Sequence, residues 1–256
     1  MSRVLMPVIL GAAKDLLRPS HVILSAPKNL AVSFRMNFAK HLALYGGIAL
    51  FAAAPAAAQT QLVIVSGLGG DPKYTTQFAE HATTPAQAAH DRGGLPDSAI
   101  AWYGEPTAPK SPWYRGTSTR VNIEQTLGRL AARPGEEQLV LVLVGHGAGE
   151  GAQTRISLPG SDLTAADFAR LLDRFGERRV AFINMTSASG DMLALLSAPS
   201  RVVVTATKSA FERNESQFAR YFVDALAGDG ADVDKDNRVS LFEAFAYADA
   251  ETTRYY

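Results

Sequence analysis

The sequence predicts an α/β domain with a mostly parallel central sheet and helices on both of its faces. Three observations carry that reading. The first is the run Leu139-Val140-Leu141-Val142-Leu143-Val144, succeeded about forty residues later by Val180-Ala181-Phe182-Ile183-Asn184-Met185. Short, β-branched, unalternating runs are strands buried on both faces, and such strands belong to parallel sheets. The second is that runs of this kind alternate with stretches of helical periodicity, as in a sheet covered on both sides. The third is the pair of turns that end the two core runs, Gly145-His146-Gly147 after one and Thr186-Ser187-Ala188-Ser189-Gly190 after the other. In open parallel sheets chemistry gathers at the carboxyl ends of the strands. A histidine and a small hydroxyl placed there have the layout of a base and a nucleophile.

In chain order, strands are expected at Gln61–Ser66, Ser98–Tyr103, Gln138–Val144, Val180–Met185 and Arg201–Thr207. Helices are expected at Tyr74–Arg92, Ser118–Ala132, Thr164–Phe175, Met192–Ser197, Glu215–Leu226 and Ser240–Thr253. Segments containing Gly and Pro, notably Gly104–Trp113 and Arg133–Glu136, separate them. Residues 59–256 show no break in composition, and about 200 residues suffice for one α/β domain.

The chain ahead of residue 59 reads differently. From Met36 it runs through Lys40 and an apolar stretch, Leu42 to Ala54, into Ala56-Ala57-Ala58. This is the layout of a secretory signal, residues 36–58, cleaved after Ala58. The stretch is shorter than the roughly 20 apolar residues of a membrane span. The expectation is a periplasmic or secreted protein with no span once the signal is removed. Residues 1–35 carry an internal repeat: Val8-Ile9-Leu10-Gly11-Ala12-Ala13-Lys14-Asp15-Leu16 recurs as Val22-Ile23-Leu24-Ser25-Ala26-Pro27-Lys28-Asn29-Leu30. A repeat confined to the region ahead of a signal suggests a start codon assigned too early, and no packed structure is expected there.

The 256 residues carry no net formal charge and no cysteine. Neutrality leaves no electrostatic footprint for nucleic acid or an anionic membrane. The lack of cysteine excludes disulfides and a cysteine nucleophile.

His146 lies between two glycines, which let backbone approach a bound group closely. No pair of histidines shows zinc-ligand spacing such as H-x-x-x-H, and His81 and His90 fall on an expected surface helix. A catalytic base, or its remnant, is the reading for His146. The Ser187 hydroxyl is then the group whose proton His146 could take. Thr186, Ser187 and Ser189 could instead cap the next helix. An α/β-hydrolase is excluded twice over: there is no G-x-S-x-G elbow, and that fold places its serine ahead of its histidine.

At these residues the chain resembles the legumain-like (asparaginyl endopeptidase) family of the caspase–legumain fold, in its bacterial exported branch. Val144-Gly145-His146-Gly147 is similar to the legumain histidine turn. Met185-Thr186-Ser187-Ala188-Ser189-Gly190-Asp191 aligns with E-A-C-E-S-G-S and places Ser187 at the cysteine. Val204-Thr205-Ala206-Thr207 with Asn214-Glu215-Ser216 resembles the legumain T-A-S and N-E-S-S-Y, and Ser66-Gly67-Leu68-Gly69-Gly70 with Tyr74, and Gly94 to Ile100, resemble its first strand, first helix and second strand. The resemblance covers roughly residues 61–226. It implies a caspase-like three-layer sandwich, endopeptidase chemistry on a peptide or protein substrate, and substrate binding by Asn214, Glu215 and Ser216. It further implies His146 as base, Ser187 as nucleophile, and the Gly147 and Ser187 N–H groups for the oxyanion. The departure is the serine. A thiolate needs only a nearby base, whereas a hydroxyl depends on full base catalysis and a third group orienting the histidine. A peptidase homologue and a non-catalytic peptide-binding pseudoenzyme both remain open, and no third group is identified from the sequence.

An independent motif is Asp232-Val233-Asp234-Lys235-Asp236-Asn237-Arg238-Val239-Ser240-Leu241-Phe242-Glu243. An EF-hand-type loop places oxygen ligands at positions 1, 3, 5, 7, 9 and 12. Here these are Asp232, Asp234, Asp236, Arg238 (through its carbonyl), Ser240 and Glu243. Asn237 stands where glycine is usual, and asparagine adopts left-handed angles more easily than most residues. A structural calcium ion is expected. The plainer alternative is an acidic turn and a capping box, Ser240 with Glu243, opening the last helix.

Overall fold

The computed structural model describes residues 24–25, 60–109, 111–135, 137–212 and 216–256. The signal-like segment 36–58, its cleavage site, and Asn214 and Glu215 lie outside the described residues.

The strands are β1 (Leu24–Ser25), β2 (Thr60–Ser66), β3 (Ile100–Gly104), β4 (Tyr114–Thr117), β5 (Gln138–Val144), β6 (Gly147–Ala148), β7 (Arg155–Ile156), β8 (Leu163–Thr164), β9 (Val180–Asn184) and β10 (Arg201–Thr205). The helices are α1 (Pro72–Asp91), α2 (Arg120–Ala132), α3 (Ala165–Asp173), α4 (Met192–Leu196), α5 (Phe218–Ala227) and α6 (Leu241–Tyr255). One sheet runs β1-β10-β9-β5-β2-β3-β4, and a small antiparallel sheet runs β6-β7-β8. From β10 to β4 every neighbouring pair is parallel. The expected α/β architecture, a mostly parallel sheet flanked by helices, is therefore the observed one. Leu24–Ser25 adds two antiparallel residues against Val204 and Val203. It belongs to the stretch 1–35, for which no packed structure is expected, and is the described part of that stretch.

Alternation along each strand sends successive residues to opposite faces, and both faces are dry. Leu62, Ile64, Trp102, Val142, Val144, Ile183 and Val204 pack with Phe78 of α1, Phe218 and Phe222 of α5, and Phe245 of α6. Val63, Val65, Leu141, Leu143, Phe182 and Val203 pack with Ile123 and Leu127 of α2, Phe168 and Leu172 of α3, and Met192 of α4. The result is three layers with the sheet in the middle. This double burial is why the strands read as continuous apolar runs. The two tryptophans anchor the β3 end of the sheet. The Trp102 indole N–H donates to Ser66 Oγ at 2.9 Å, and that of Trp113 to Asp97 Oδ1 at 2.9 Å.

Boundaries differ from expectation where local geometry decides them. Residues Asp97–Ala99 form a single 3₁₀ turn, so β3 starts at Ile100. Met185, Ala206 and Thr207 lie past the ends of β9 and β10, in the turns that carry the polar residues. The edge strand β4 falls between the expected connecting segment Gly104–Trp113 and the expected helix start at Ser118, where no element is expected.

The helices α2 and α3 are joined at their N-terminal ends by charge. Arg120 grips Asp167 with two hydrogen bonds, 2.9 and 2.6 Å, and Arg170 adds a third at 2.6 Å. Asp167 also closes a capping box with Thr164 at the start of α3. Burial pushes the Asp167 carboxyl up, but hydrogen bonds from Arg120, Thr164 and Arg170 outweigh it and hold the group well below the usual carboxylate range.

Candidate functional site

The strand order reverses direction between β2 and β5. From β2 the chain moves outward through β3 to β4, then returns to the other side of β2 at β5 and continues to β9 and β10. Loops leaving two such strands diverge, and the crevice between them is where open α/β sheets bind ligands. Here the two loops are Gly67–Gly70 after β2 and Gly145–Gly147 after β5, tied at their base by the Gly67 N–H donating to the Val144 carbonyl at 2.8 Å. Gly145 takes φ +146°, a region closed to other residues. A Cβ on Gly147 would overlap the carbonyl oxygen of Ser187, so only glycine lets the β5 and β9 turns touch.

His146 is half-buried and its ring meets two α1 aromatics edge-on, Tyr74 at 4.9 Å and Phe78 at 5.0 Å between centroids. Its Nε2 lies 3.3 Å from the carbonyl oxygen of Gly69. A carbonyl only accepts, so Nε2 is the protonated nitrogen and, in the neutral ring, Nδ1 is bare. The orienting group that the sequence does not reveal is thus a backbone carbonyl across the crevice. The Gly69 N–H in turn donates to Glu105 Oε2 at 2.8 Å, just beyond the end of β3.

His146 and Ser187 line one cavity, together with Phe78, His81, Val144, Met185, Ser216 and Ala219. Its free volume is about 20 Å³, enough to hold one water molecule. His81, expected on a surface helix, faces this cavity. The paired turns come together, but the expected hydrogen bond between base and nucleophile is not formed. Ser187 is 5% exposed, and its hydroxyl instead closes on Gly147. It accepts from the Gly147 N–H at 3.0 Å and donates to the Gly147 carbonyl at 3.2 Å. In this arrangement the two groups serve each other. The serine proton is directed to a carbonyl and not to His146, and the Gly147 N–H, expected to serve an oxyanion, already serves Ser187.

The neighbouring hydroxyls are equally committed. Asn184 Oδ1 accepts from the N–H of Thr186 at 3.0 Å and from its hydroxyl at 2.7 Å. Ser189 Oγ accepts from the N–H groups of Ala206 and Thr207 at 3.1 and 3.2 Å. Neither group caps α4, whose N-cap is Asp191 without a side-chain bond. Buried polar groups must be paired, and this polar turn pairs its own. Ser216 donates to the Ala206 carbonyl at 3.1 Å and accepts from Phe218 N–H at 3.2 Å, so it fixes the start of α5 as well as lining the cavity.

At the other candidate site, carboxylate oxygens of Asp232, Asp234 and Asp236 lie within 4.8 Å of one another. Lys235 and Asn237 take φ of 58° and 63°, the left-handed angles expected for Asn237. Asp232 accepts from Asp236 and Asn237 N–H, and Asp236 accepts from Arg238 N–H. Glu243 receives the Val233 N–H at 2.9 Å through one oxygen, while the other closes the capping box with Ser240. The Asp236 N–H draws the Asp234 carboxyl down, but burial and the charges of Asp236, Glu243 and Asp232 outweigh it and leave the group raised.

No protein-family model matches the chain, and no curated protein matches it. Among solved structures it is similar to the crystal structure of drICE, with 9% identity over 67% of this chain and 74% of that one, at a TM-score of 0.41. Among the described residues no helix is long and apolar enough to cross a membrane.

Proposed function

We propose that the protein is an exported legumain-like peptidase homologue that holds a peptide or protein segment at the carboxyl edge of its sheet without cleaving it. The observation that carries the reading is the Ser187 hydroxyl. It is buried, bonded to both backbone groups of Gly147, and set in a space for one water. In this arrangement its proton is directed to a carbonyl, and the first oxyanion donor is occupied. The sequence resemblance at the histidine and serine turns supplies the family, and the signal-like segment 36–58 supplies the export. The test is a serine-directed fluorophosphonate probe on the purified protein starting at Gln59. No labelling is expected, and labelling at Ser187 would overturn the non-catalytic reading.

One observation favours a second reading, an endopeptidase using the same pair. His146 is oriented by the Gly69 carbonyl with Nδ1 bare, as a general base requires. On that reading, rotation of Ser187 away from Gly147 would free both nucleophile and oxyanion donor, and the probe would label.

The loop from Asp232 to Glu243 is proposed to hold a structural calcium ion. Oxygen-only donors, a convergence of three carboxylates and the left-handed turns fit a hard cation. Asp232, Asp234, Asp236, Ser240, Glu243 and the Arg238 carbonyl would hold it, and the ion would neutralise the mutual repulsion that raises Asp234.

A further inference from the structure

We propose that Glu105 is a positioning residue that fixes the tautomer of His146. The proposal does not depend on whether Ser187 cleaves anything. Glu105 ties three segments together with one carboxylate. Its Oε2 accepts from the Gly69 N–H at 2.8 Å and from the Thr75 hydroxyl of α1 at 3.0 Å, and its Oε1 accepts from the Thr107 hydroxyl at 3.1 Å. The anchored residue, Gly69, is the one whose carbonyl faces His146 Nε2 at 3.3 Å.

The loop needs such an anchor. Three of its four residues, Gly67, Gly69 and Gly70, are glycine, and glycine loses more backbone freedom on ordering than any other residue. The N–H groups of Gly67 and Leu68 are tied to the carbonyls of Val144 and Ser157, and Glu105 is what holds the Gly69 end of the loop and so aims its carbonyl. A carboxylate accepting an amide N–H is among the stronger tethers available to backbone. The ring of His146 has separate support from Tyr74 and Phe78. Releasing Glu105 therefore leaves the imidazole in place and removes the acceptor that keeps the proton on Nε2. The observable is the tautomer, which a merely structural role for Glu105 would not move.

The experiment is long-range ¹H–¹⁵N correlation NMR on the full chain with ¹⁵N-labelled histidine, with His146→Gln identifying the His146 signals among those of the five histidines. In the unsubstituted protein, Nε2 is expected in the protonated range and Nδ1 in the bare range. Glu105→Ala, checked for folding by its melting transition, should bring the two shifts together as both tautomers populate. Glu105→Gln keeps an oxygen at the same reach and should retain the separation. If the alanine variant does not fold, Glu105→Asp replaces it: the charge stays, the reach falls by one methylene, and the shifts should again converge. A folded alanine or aspartate variant with the original separation overturns the proposal, as does a folded glutamine variant whose shifts converge fully.

Discussion

The Ser187 hydroxyl and the peptide groups of Gly147 form a closed pair, 3.0 Å from amide to Oγ and 3.2 Å from Oγ to carbonyl, across the turns that end β5 and β9. A hydroxyl can play both parts because it donates and accepts at once. The same pair joins two core strand ends and uses the serine hydroxyl as both donor and acceptor.

Replacing Ser187 by cysteine breaks that closure, since a thiol is a weak donor and a weak acceptor. With His146 alongside, thiolate formation needs only a nearby base. The folded S187C variant should be alkylated by iodoacetamide near neutral pH, and its reactivity should fall when His146→Ala is added. A thiol protected until the protein unfolds would show that packing of the turn, and not the loss of the Ser187 hydroxyl bonds, controls access to this position.

Gly147→Ala tests the contact from the other side. The added methyl overlaps the Ser187 carbonyl and approaches Thr186 Oγ1. Overpacking of this kind costs about 1–3 kcal/mol, visible in a denaturant titration. Unchanged stability would mean that the two turns have room between them for a methyl group.

The Arg120–Asp167 pair predicts an acid-labile component of stability. The folded carboxyl is held below its ordinary value of 3.8, so its contribution is fully present above that pH. It is lost as pH falls from there toward the depressed folded value. Asp167→Asn should destabilise by about 1–3 kcal/mol at pH 7 and flatten the stability profile below pH 4. A profile identical to that of the unsubstituted protein would remove Asp167 from the account.

Calcium should raise the melting temperature. Without a cation the Asp234 carboxyl sits above its usual value, so its ionisation opposes the folded loop as pH rises through the carboxylate range. A bound ion reverses that, contributing about 2.7 kcal/mol at a hundredfold excess over its dissociation constant. Extracellular modules bind at about 10⁻⁴–10⁻³ M, so millimolar calcium is the relevant range. Asp232→Ala should abolish the rise. A melting temperature indifferent to calcium and to chelator would leave only the capping box of Ser240 and Glu243.

How legible each feature is in the sequence depends on how locally it is encoded. The strand β5 runs over the expected Gln138–Val144, because a seven-residue stretch bounded by glycine has no other outcome in a doubly covered sheet. The strand β4 has no such signature. It pairs on one side only, is half-buried at most, and contains Arg115 and Gly116. His146 and Ser187 are visible as side chains in marked turns. Gly69 and Glu105 are not, since a backbone carbonyl leaves no trace in composition and Glu105 meets Gly69 from 36 residues away. His81 is hidden by the Ala- and Thr-rich pattern of α1, which does not mark its inner face.

Trp102 and Trp113 account for all the indole in the chain, and both are nearly sealed from solvent at one end of the sheet. Trp102 is bonded to Ser66, the last residue before the glycine loop that faces His146. Its fluorescence emission is therefore a built-in optical gauge of the ground on which that loop rests. Red-shifted light from this protein would announce that the crevice had lost its floor, with no dye or label attached.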